Sequence, residues 1–187
     1  MLPLHSPRLL LRPFRDSDAE TFAAYRSDPQ VARYQNWEAA FSLADAQIFI
    51  SELMEVQPGR PGEWYQLALE LKDGGHMIGD CGFHLHLSDA RQAEIGFTLA
   101  PAFQGQGYGS EAVRRLLDYL FADLKLHRVI AICDALNTAS ARLLERVGMR
   151  REGHFVENIW FKGGWGSEYS YAILRDEWAA HNPESRR

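Results

Sequence analysis

Between a strand-like apolar run, Ala93–Leu99, and an amphipathic stretch that starts near residue 109, the chain places Gln104-Gly105-Gln106-Gly107-Tyr108-Gly109-Ser110. A turn of alternating glycines that feeds a strand straight into a helix restricts the chain to folds in which helices pack on a sheet. It also builds an anion cradle. The first turn of a helix carries N–H groups without intrahelical partners and the positive end of the macrodipole, and glycines let a ligand approach the main chain with no Cβ in the way. The segment predicts a pyrophosphate site, with a merely structural strand-to-helix turn as the plainer alternative.

The helix behind the turn is marked by Ala112, Val113, Leu116, Leu117, Leu120, Phe121 and Leu124 at three- and four-residue spacing, and is expected to end near Leu124. Two other phosphate-binding motifs fit less well. A nucleoside-triphosphate loop needs a lysine that this loop does not have. A dinucleotide fingerprint is closer, because Gly105-x-Gly107 is followed by a helix, a strand over 128–133 and then Asp134 where a ribose-binding acid would sit. Its third glycine, however, falls on Ser110, and about a hundred residues precede the motif. An NAD-type dinucleotide binder therefore stays open as an alternative.

Periodicity and punctuation along the rest of the chain predict a strand over 8–13 and a helix over 17–27 opened by a Ser17-x-x-Glu20 capping box. A second helix follows over 43–56, with Ser42-x-x-Asp45 in the same role and Pro58-Gly59 as its stop. Strands are expected at 64–71, 76–87 and 91–99, joined by the turn sequences Asp73-Gly74-Gly75 and Ser88-Asp89-Ala90. After the glycine turn come a helix over 109–124, a strand over 128–134, a helix over 138–147 capped by Asn137 and closed by Gly148, and strands near 150–160 and 167–174. One domain over 1–180 with a polar tail over 181–187 is the expected organisation.

At 187 residues, with 46% hydrophobic and 24% charged residues, the chain can bury a core without staples. No apolar run approaches a membrane span, and Met1-Leu2-Pro3-Leu4-His5 lacks the charged start of a secretory signal, so a cytosolic protein is expected. A net charge of −5 speaks against nucleic acid as a partner and favours an amine. Cys81 and Cys133 lie in separate apolar runs and read as free thiols. His84-x-His86 puts two imidazoles on one strand face without a third ligand nearby, so no metal is expected.

Gln104-x-x-Gly107-x-Gly109 resembles the acyl-CoA loop of the GNAT family of N-acetyltransferases. Ala93–Leu99 upstream resembles that family's fourth strand. Downstream, Asn137-x-x-Ser140 followed by Gly148-Met149 resembles its fourth helix. Arg8-Leu9-Leu10-Leu11-Arg12-Pro13-Phe14, Arg151-Glu152-Gly153, Lys162-Gly163 and Glu177-Trp178 are similar to the RimJ/RimL-like branch. The resemblance implies an α+β fold: a mixed, mostly antiparallel central sheet of six to seven strands with helices on both faces. It implies acetyl-CoA as cosubstrate and direct transfer to a primary amine, either a protein N-terminus such as that of a ribosomal protein or a small amine or aminoglycoside. On this likeness Phe97, Thr98 and Leu99 hold the pantetheine arm through their main chain. Gln104, Gly105, Gln106, Gly107, Tyr108, Gly109 and Ser110 hold the pyrophosphate, and Asn137 and Ser140 face the cosubstrate.

Glu94, just upstream of the pantetheine stretch, is the expected catalytic base, with Glu157 and then Glu168 behind it. The tyrosine that many members use to protonate the leaving thiolate would fall on Leu144, so Ser140 is the candidate thiol-side partner, as an acid or as a group that only positions CoA. Tyr34, Trp37, Phe41, Trp64, Trp160 and Trp165 are candidates for an aromatic acceptor groove, with core packing as their plainer role. A non-catalytic acyl-CoA sensor module is the reading from outside enzymology, and the chain is expected to be a monomer or a homodimer.

Overall fold

The computed structural model describes residues 2–181. The sequence patterns become eight strands in one sheet: β1 (Leu4–His5), β2 (Leu9–Arg12), β3 (Trp64–Leu71), β4 (Met77–Leu85), β5 (Gln92–Leu99), β6 (Arg128–Asp134), β7 (Arg150–Phe161) and β8 (Gly164–Leu174). Their order is β1-β2-β3-β4-β5-β6-β8-β7, and all neighbours are antiparallel except β5 and β6. The expected mixed, mostly antiparallel sheet is present with one or two more strands than anticipated. The two-residue β1 is too short to leave a periodic signal.

The helices are α1 (Ala19–Arg26), α2 (Pro29–Ala32), α3 (Leu43–Glu55), α4 (Tyr108–Asp118), α5 (Thr138–Arg146) and α6 (Arg175–His181). Helix α3 starts on Ser42, whose hydroxyl accepts from Asp45 N at 3.1 Å while Asp45 accepts from Ser42 N at 2.9 Å, so this capping box forms as read. The Ser17-x-x-Glu20 box does not. A 3₁₀ turn, Asp16–Asp18, leads into α1, and Asp18 accepts from Arg15 N at 2.8 Å. Asp18 is committed there because it also takes both terminal nitrogens of the buried Arg12 at 2.7 Å, while Arg12 Nε reaches Glu70 at 2.6 Å. Burial of an arginine demands such partners, and that demand moves the helix start. Helix α2 was not anticipated, although Asp28 caps it by accepting from Gln30 N at 2.7 Å and Pro29 occupies its first position. His181 belongs to α6; the rest of the expected tail lies outside the described residues.

Two apolar clusters flank the sheet. On one face α4 and α5 bury Ala112, Val113, Leu116, Leu117, Ala141 and Leu144 against Leu67, Phe83, Ile95 and Val129. On the other, α1 and α3 bury Phe22, Ala46 and Ile50 against Ala68 and Met77. Helix α4 runs on from Asp118 through one π turn, Tyr119–Asp123, closed by Leu124 N on Tyr119 O at 3.1 Å. The wider turn keeps Tyr119, Leu120 and Phe121 buried.

The feature that positions everything else is the seam between β5 and β6. They pair only through Gln92, Ala93 and Glu94 with Arg128, Val129 and Ile130. Beyond that the strands diverge, although β5 runs on to Leu99 and β6 to Asp134. Each half stays paired on its outer side, Phe97 with Cys81 and Thr98 with Asp80 in one, Cys133 with Tyr169 in the other.

Candidate active site

The wedge opens inner main-chain edges in the middle of a sheet, which is where an extended amide-bearing ligand can add itself as a strand. Residues Phe97, Thr98 and Leu99 line one side of it, and Asn137 with Ser140 begin the helix that follows the other.

At the open end, β5 runs through a 3₁₀ turn, Pro101–Phe103, into the glycine turn. Gly105 and Gly107 take φ of 73° and 85°, left-handed values that cost an L-residue with a side chain about 1–2 kcal/mol. Gly107 is the N-cap of α4 and offers no side-chain cap, so the N–H groups of Tyr108, Gly109 and Ser110 have no intrahelical acceptor. A Cβ on Gly105 would meet nothing within 4 Å, so its surroundings are open to a ligand. A Cβ on Gly109 would lie 2.7 Å from Leu143 Cδ1, so this glycine instead lets α4 start hard against α5. The glutamines, both exposed, fold back onto their own turn: Gln104 Nε2 donates to Leu99 O at 2.9 Å and Gln106 Nε2 to Ala102 O at 2.7 Å. Anion binding here falls to the main chain.

The turn is held from outside by the N-terminal segment. Glu111 accepts from Ser6 Oγ, Arg8 N and Arg8 Nε, each at 2.7 Å. Arg8 also donates to Gln106 O at 3.2 Å and lies 4.3 Å above the Tyr108 ring. Local sequence did not reveal this clamp, since its halves are about a hundred residues apart.

Glu94 stands at the apex of the wedge as the last β5 residue paired to β6. Its neighbour across β4 is His84, which stacks on Trp64 at 5.6 Å and faces His86 at 6.2 Å. Burial pushes the Glu94 carboxyl upward, the charges of His84 and His86 pull it back in part, and that of Glu168 raises it again. Glu168 accepts from Asn158 Nδ2 at 2.5 Å. Glu157 sits on an irregularity of β7 with φ 48°, exposed, and its main-chain N–H donates to Ser167 Oγ at 2.9 Å. Of the three carboxylates, Glu94 and Glu168 share one electrostatic environment. The two histidines, read only for metal binding in the sequence, surround the apex carboxylate; their alternate spacing on a strand next to Glu94 was the signal that could have found them.

Asn137 Oδ1 accepts from Ser140 N at 3.1 Å and so caps α5, which leaves the amide nitrogen of Asn137 as a donor. Leu144 is buried, so the missing phenol is replaced by core. Cys133, near the wedge, is pushed up to about 11 by burial and by Asp134, Glu168 and Glu145; burial also raises Cys81. Both thiols stay protonated at neutral pH and are poor nucleophiles. Asp134 accepts from Leu136 N at 2.7 Å, a turn-forming role in place of the ribose contact of the dinucleotide alternative. Among the described residues no group of three or more His, Cys, Asp or Glu could hold a metal ion, and no helix is long and apolar enough to cross a membrane.

The six aromatics do not form one groove. Trp37 and Phe41 pack with Phe22 and Phe49 around the buried Arg26, whose guanidinium lies 3.9 Å from the Trp37 ring. Trp64 lies on the sheet beside His84, Tyr34 donates to Leu136 O at 3.4 Å, and Trp160 and Trp165 pair on the exposed β7–β8 hairpin. Burial of the Arg26 cation recruits Trp37 and Phe41 into the plainer, core-packing role that the sequence offered beside the groove. The hairpin tip is tied back by Lys162, which donates to Ala32 O at 2.9 Å and Trp37 O at 2.6 Å.

Residues 8–150 match the model of the acetyltransferase (GNAT) domain. The chain is 36% identical over 171 residues to the uncharacterized N-acetyltransferase YnaD of Bacillus subtilis, covering 91% of this chain and 96% of that one. A GNAT-family acetyltransferase from Bacillus anthracis shares the fold with a TM-score of 0.84 at 34% identity, over 92% of this chain and 98% of that one. RimL, described as a ribosomal L7/L12 α-N-protein acetyltransferase in complex with coenzyme A, aligns with a TM-score of 0.80 at 19% identity, over 92% and 97% of the two chains. The match removes the dinucleotide and sensor readings from the front rank. The chain belongs to the GNAT family of N-acetyltransferases.

Proposed function

We propose that residues 1–180 form one catalytic domain that moves the acetyl group of acetyl-CoA directly to a primary amine within a ternary complex. The observation that carries this reading is the wedge itself: a β5 edge left unpaired beyond Glu94, ending at an uncapped, glycine-led helix start and headed by a half-buried carboxylate. An arm with two amides pairs with the edge at Phe97, Thr98 and Leu99, and the pyrophosphate meets the N–H groups between Gly105 and Ser110.

In this scheme Glu94 removes a proton from the ammonium, directly or through one water, because only the neutral amine is a nucleophile. The amine nitrogen then bonds to the thioester carbonyl carbon, and an N–H of β5 donates to the developing oxyanion. As the carbon–sulfur bond breaks, the second proton of the amine nitrogen passes to water or to the departing sulfur, and CoA leaves as a thiolate or thiol. Ser140 donates to that sulfur or holds the pantetheine arm; a thiol of pKa near 8–9, as for cysteine, departs without obligatory protonation. With both cysteines protonated, no acyl-enzyme step is needed.

The acceptor is an amine presented from the Trp64, His84 and Glu94 side of the wedge. The test follows thiol release from acetyl-CoA with a serine- or alanine-initiated peptide, spermidine and a simple monoamine. Amine-dependent release supports the reading. Tight acetyl-CoA binding with no release for any amine class would instead favour the sensor alternative.

A further inference from the structure

Among the described residues, two buried side-chain atoms have no hydrogen-bond partner, Arg26 Nε and Gln66 Oε1. The first is explained by its surroundings. The Arg26 guanidinium sits among the rings of Phe22, Trp37, Phe41 and Phe49, whose faces take the place of an acceptor. The second has no such explanation. A buried amide oxygen with nothing to accept is costly, and in a native fold it marks a place where another molecule supplies the donor.

Strand register places Gln66 beside the wedge. It pairs with Gly82 of β4, which pairs with Gly96 of β5, and Trp64, His84 and Glu94 form the next row on the same face. The two glycines keep the floor between Gln66 and β5 free of side chains. Gln66 leans over that floor, since a Cβ on Gly82 would lie 3.0 Å from Gln66 Cγ. Trp64 reaches from its stack on His84 to Gly96, where a Cβ would meet its ring at 3.6 Å. A glycine-floored strip, with the Trp64 ring over it, thus links Glu94 to Gln66. Two strand spacings and two residues put their Cα atoms roughly 12 Å apart. The two side chains span much of that, so a few bonds of ligand bridge them.

The carboxylates further along this face are taken: Asp80 by Tyr25 and the nearby charge of Arg26, Glu70 by Arg12. Nothing at this end is left to receive a second ammonium, whereas a neutral carbonyl matches a neutral N–H. We propose that Gln66 is a specificity residue of the acceptor site: its side-chain carbonyl accepts an uncharged N–H that the acceptor carries next to its reacting amine, so that an α-amino amide is preferred to a monoamine or a polyamine. This rests on Glu94 heading the site of acetyl transfer.

The test follows thiol release from acetyl-CoA with alanine N-methylamide, alanine methyl ester and spermidine, for wild type and for Gln66→Met, which keeps the length of the side chain and removes its carbonyl. The amide and the ester differ in one N–H replaced by oxygen. Wild type should use the amide about ten- to a hundredfold better in kcat/KM, the scale of one hydrogen bond to an otherwise orphaned buried group. Gln66→Met should use the two alike, with the Kd for acetyl-CoA unchanged and a Tm no lower than that of wild type. An alanine-initiated hexapeptide separates the sources of the N–H: a higher kcat/KM than the N-methylamide assigns the site to protein N-termini, an equal one to free amides, and either supports the proposal. Equal use of amide and ester by wild type, a preference that survives in Gln66→Met, or a kcat/KM for spermidine as high as that for the amide would each overturn it. Absence of release with every amine would show instead that the acetyl-transfer reading is wrong.

Discussion

The two sides of the wedge are built on opposite principles. The proposed CoA side is main chain: a short contiguous turn, its shape set by two left-handed glycines and a helix start, braced by Arg8 and Glu111. The proposed acceptor side is side chain: Trp64, His84, Glu94 and Glu168 come from four strands, and the Lys162 tie spans at least 125 residues. A ligand that never changes can be bound by backbone geometry, which tolerates drift in the surrounding side chains. An acceptor that differs between relatives is read by groups that can be exchanged without refolding the turn. Mutations should therefore separate the two sides cleanly.

The largest expected effect is on the chemistry. Glu94→Gln should lower kcat about 10²–10⁴-fold, the usual worth of a positioned base, with the Kd for acetyl-CoA unchanged. An equal loss of acetyl-CoA affinity would break the comparison, because it would make Glu94 part of the CoA side. The reverse case is Gly107→Ala, which puts a side chain on a φ of 85°. A strain of about 1–2 kcal/mol that reshapes the turn should weaken acetyl-CoA binding roughly tenfold, measured by calorimetry, and leave the acceptor KM at saturating acetyl-CoA unchanged.

Smaller effects sharpen the boundary. Lys162→Ala frees the hairpin tip from Ala32 and Trp37 and should raise the acceptor KM a few-fold with no change in acetyl-CoA affinity. The subtlest is the acid limb of the rate profile. Because burial raises Glu94, kcat/KM should fall as pH drops through a value above that of an ordinary glutamate, and the limb should vanish in Glu94→Gln. A raised carboxyl contributes stability below its unfolded pKa and loses it as pH rises through its folded pKa. At neutral pH Glu94 is therefore a small burden on the fold, and Glu94→Gln should raise Tm slightly at pH 7 and not at pH 4. A fall in Tm at pH 7 would show that the charged form is held by partners instead of strained by burial.

The same division explains what the sequence disclosed. Strands β3 and β6, the Ser42 cap, the Asn137 cap and the glycine turn depend on neighbours within a few residues, and periodicity and capping rules read them directly. The Ser17 box failed because a buried Arg12 claimed Asp18, and Trp37 and Phe41 took the plainer core role in place of a groove because a buried Arg26 claimed them. In both cases a cation whose burial no local pattern announces decided the outcome. His84 and His86 beside Glu94, and Arg8 beneath the glycine turn, emerge only when strand register and helix packing bring distant segments together.

The three-residue seam between β5 and β6 has a mechanical consequence. A sheet interrupted at its centre behaves as two stiff plates joined along a short weld, with α4 and α5 spanning the gap on one face. Slow breathing should concentrate at that weld, where few ladder hydrogen bonds resist it. A bound extended arm would lie across the gap as a splint, so amide exchange along Ile95–Leu99 and Ala131–Cys133 should slow more than anywhere else in the sheet. Turnover would then alternate between a compliant and a splinted molecule, with the softest line in the fold running through the reacting atoms.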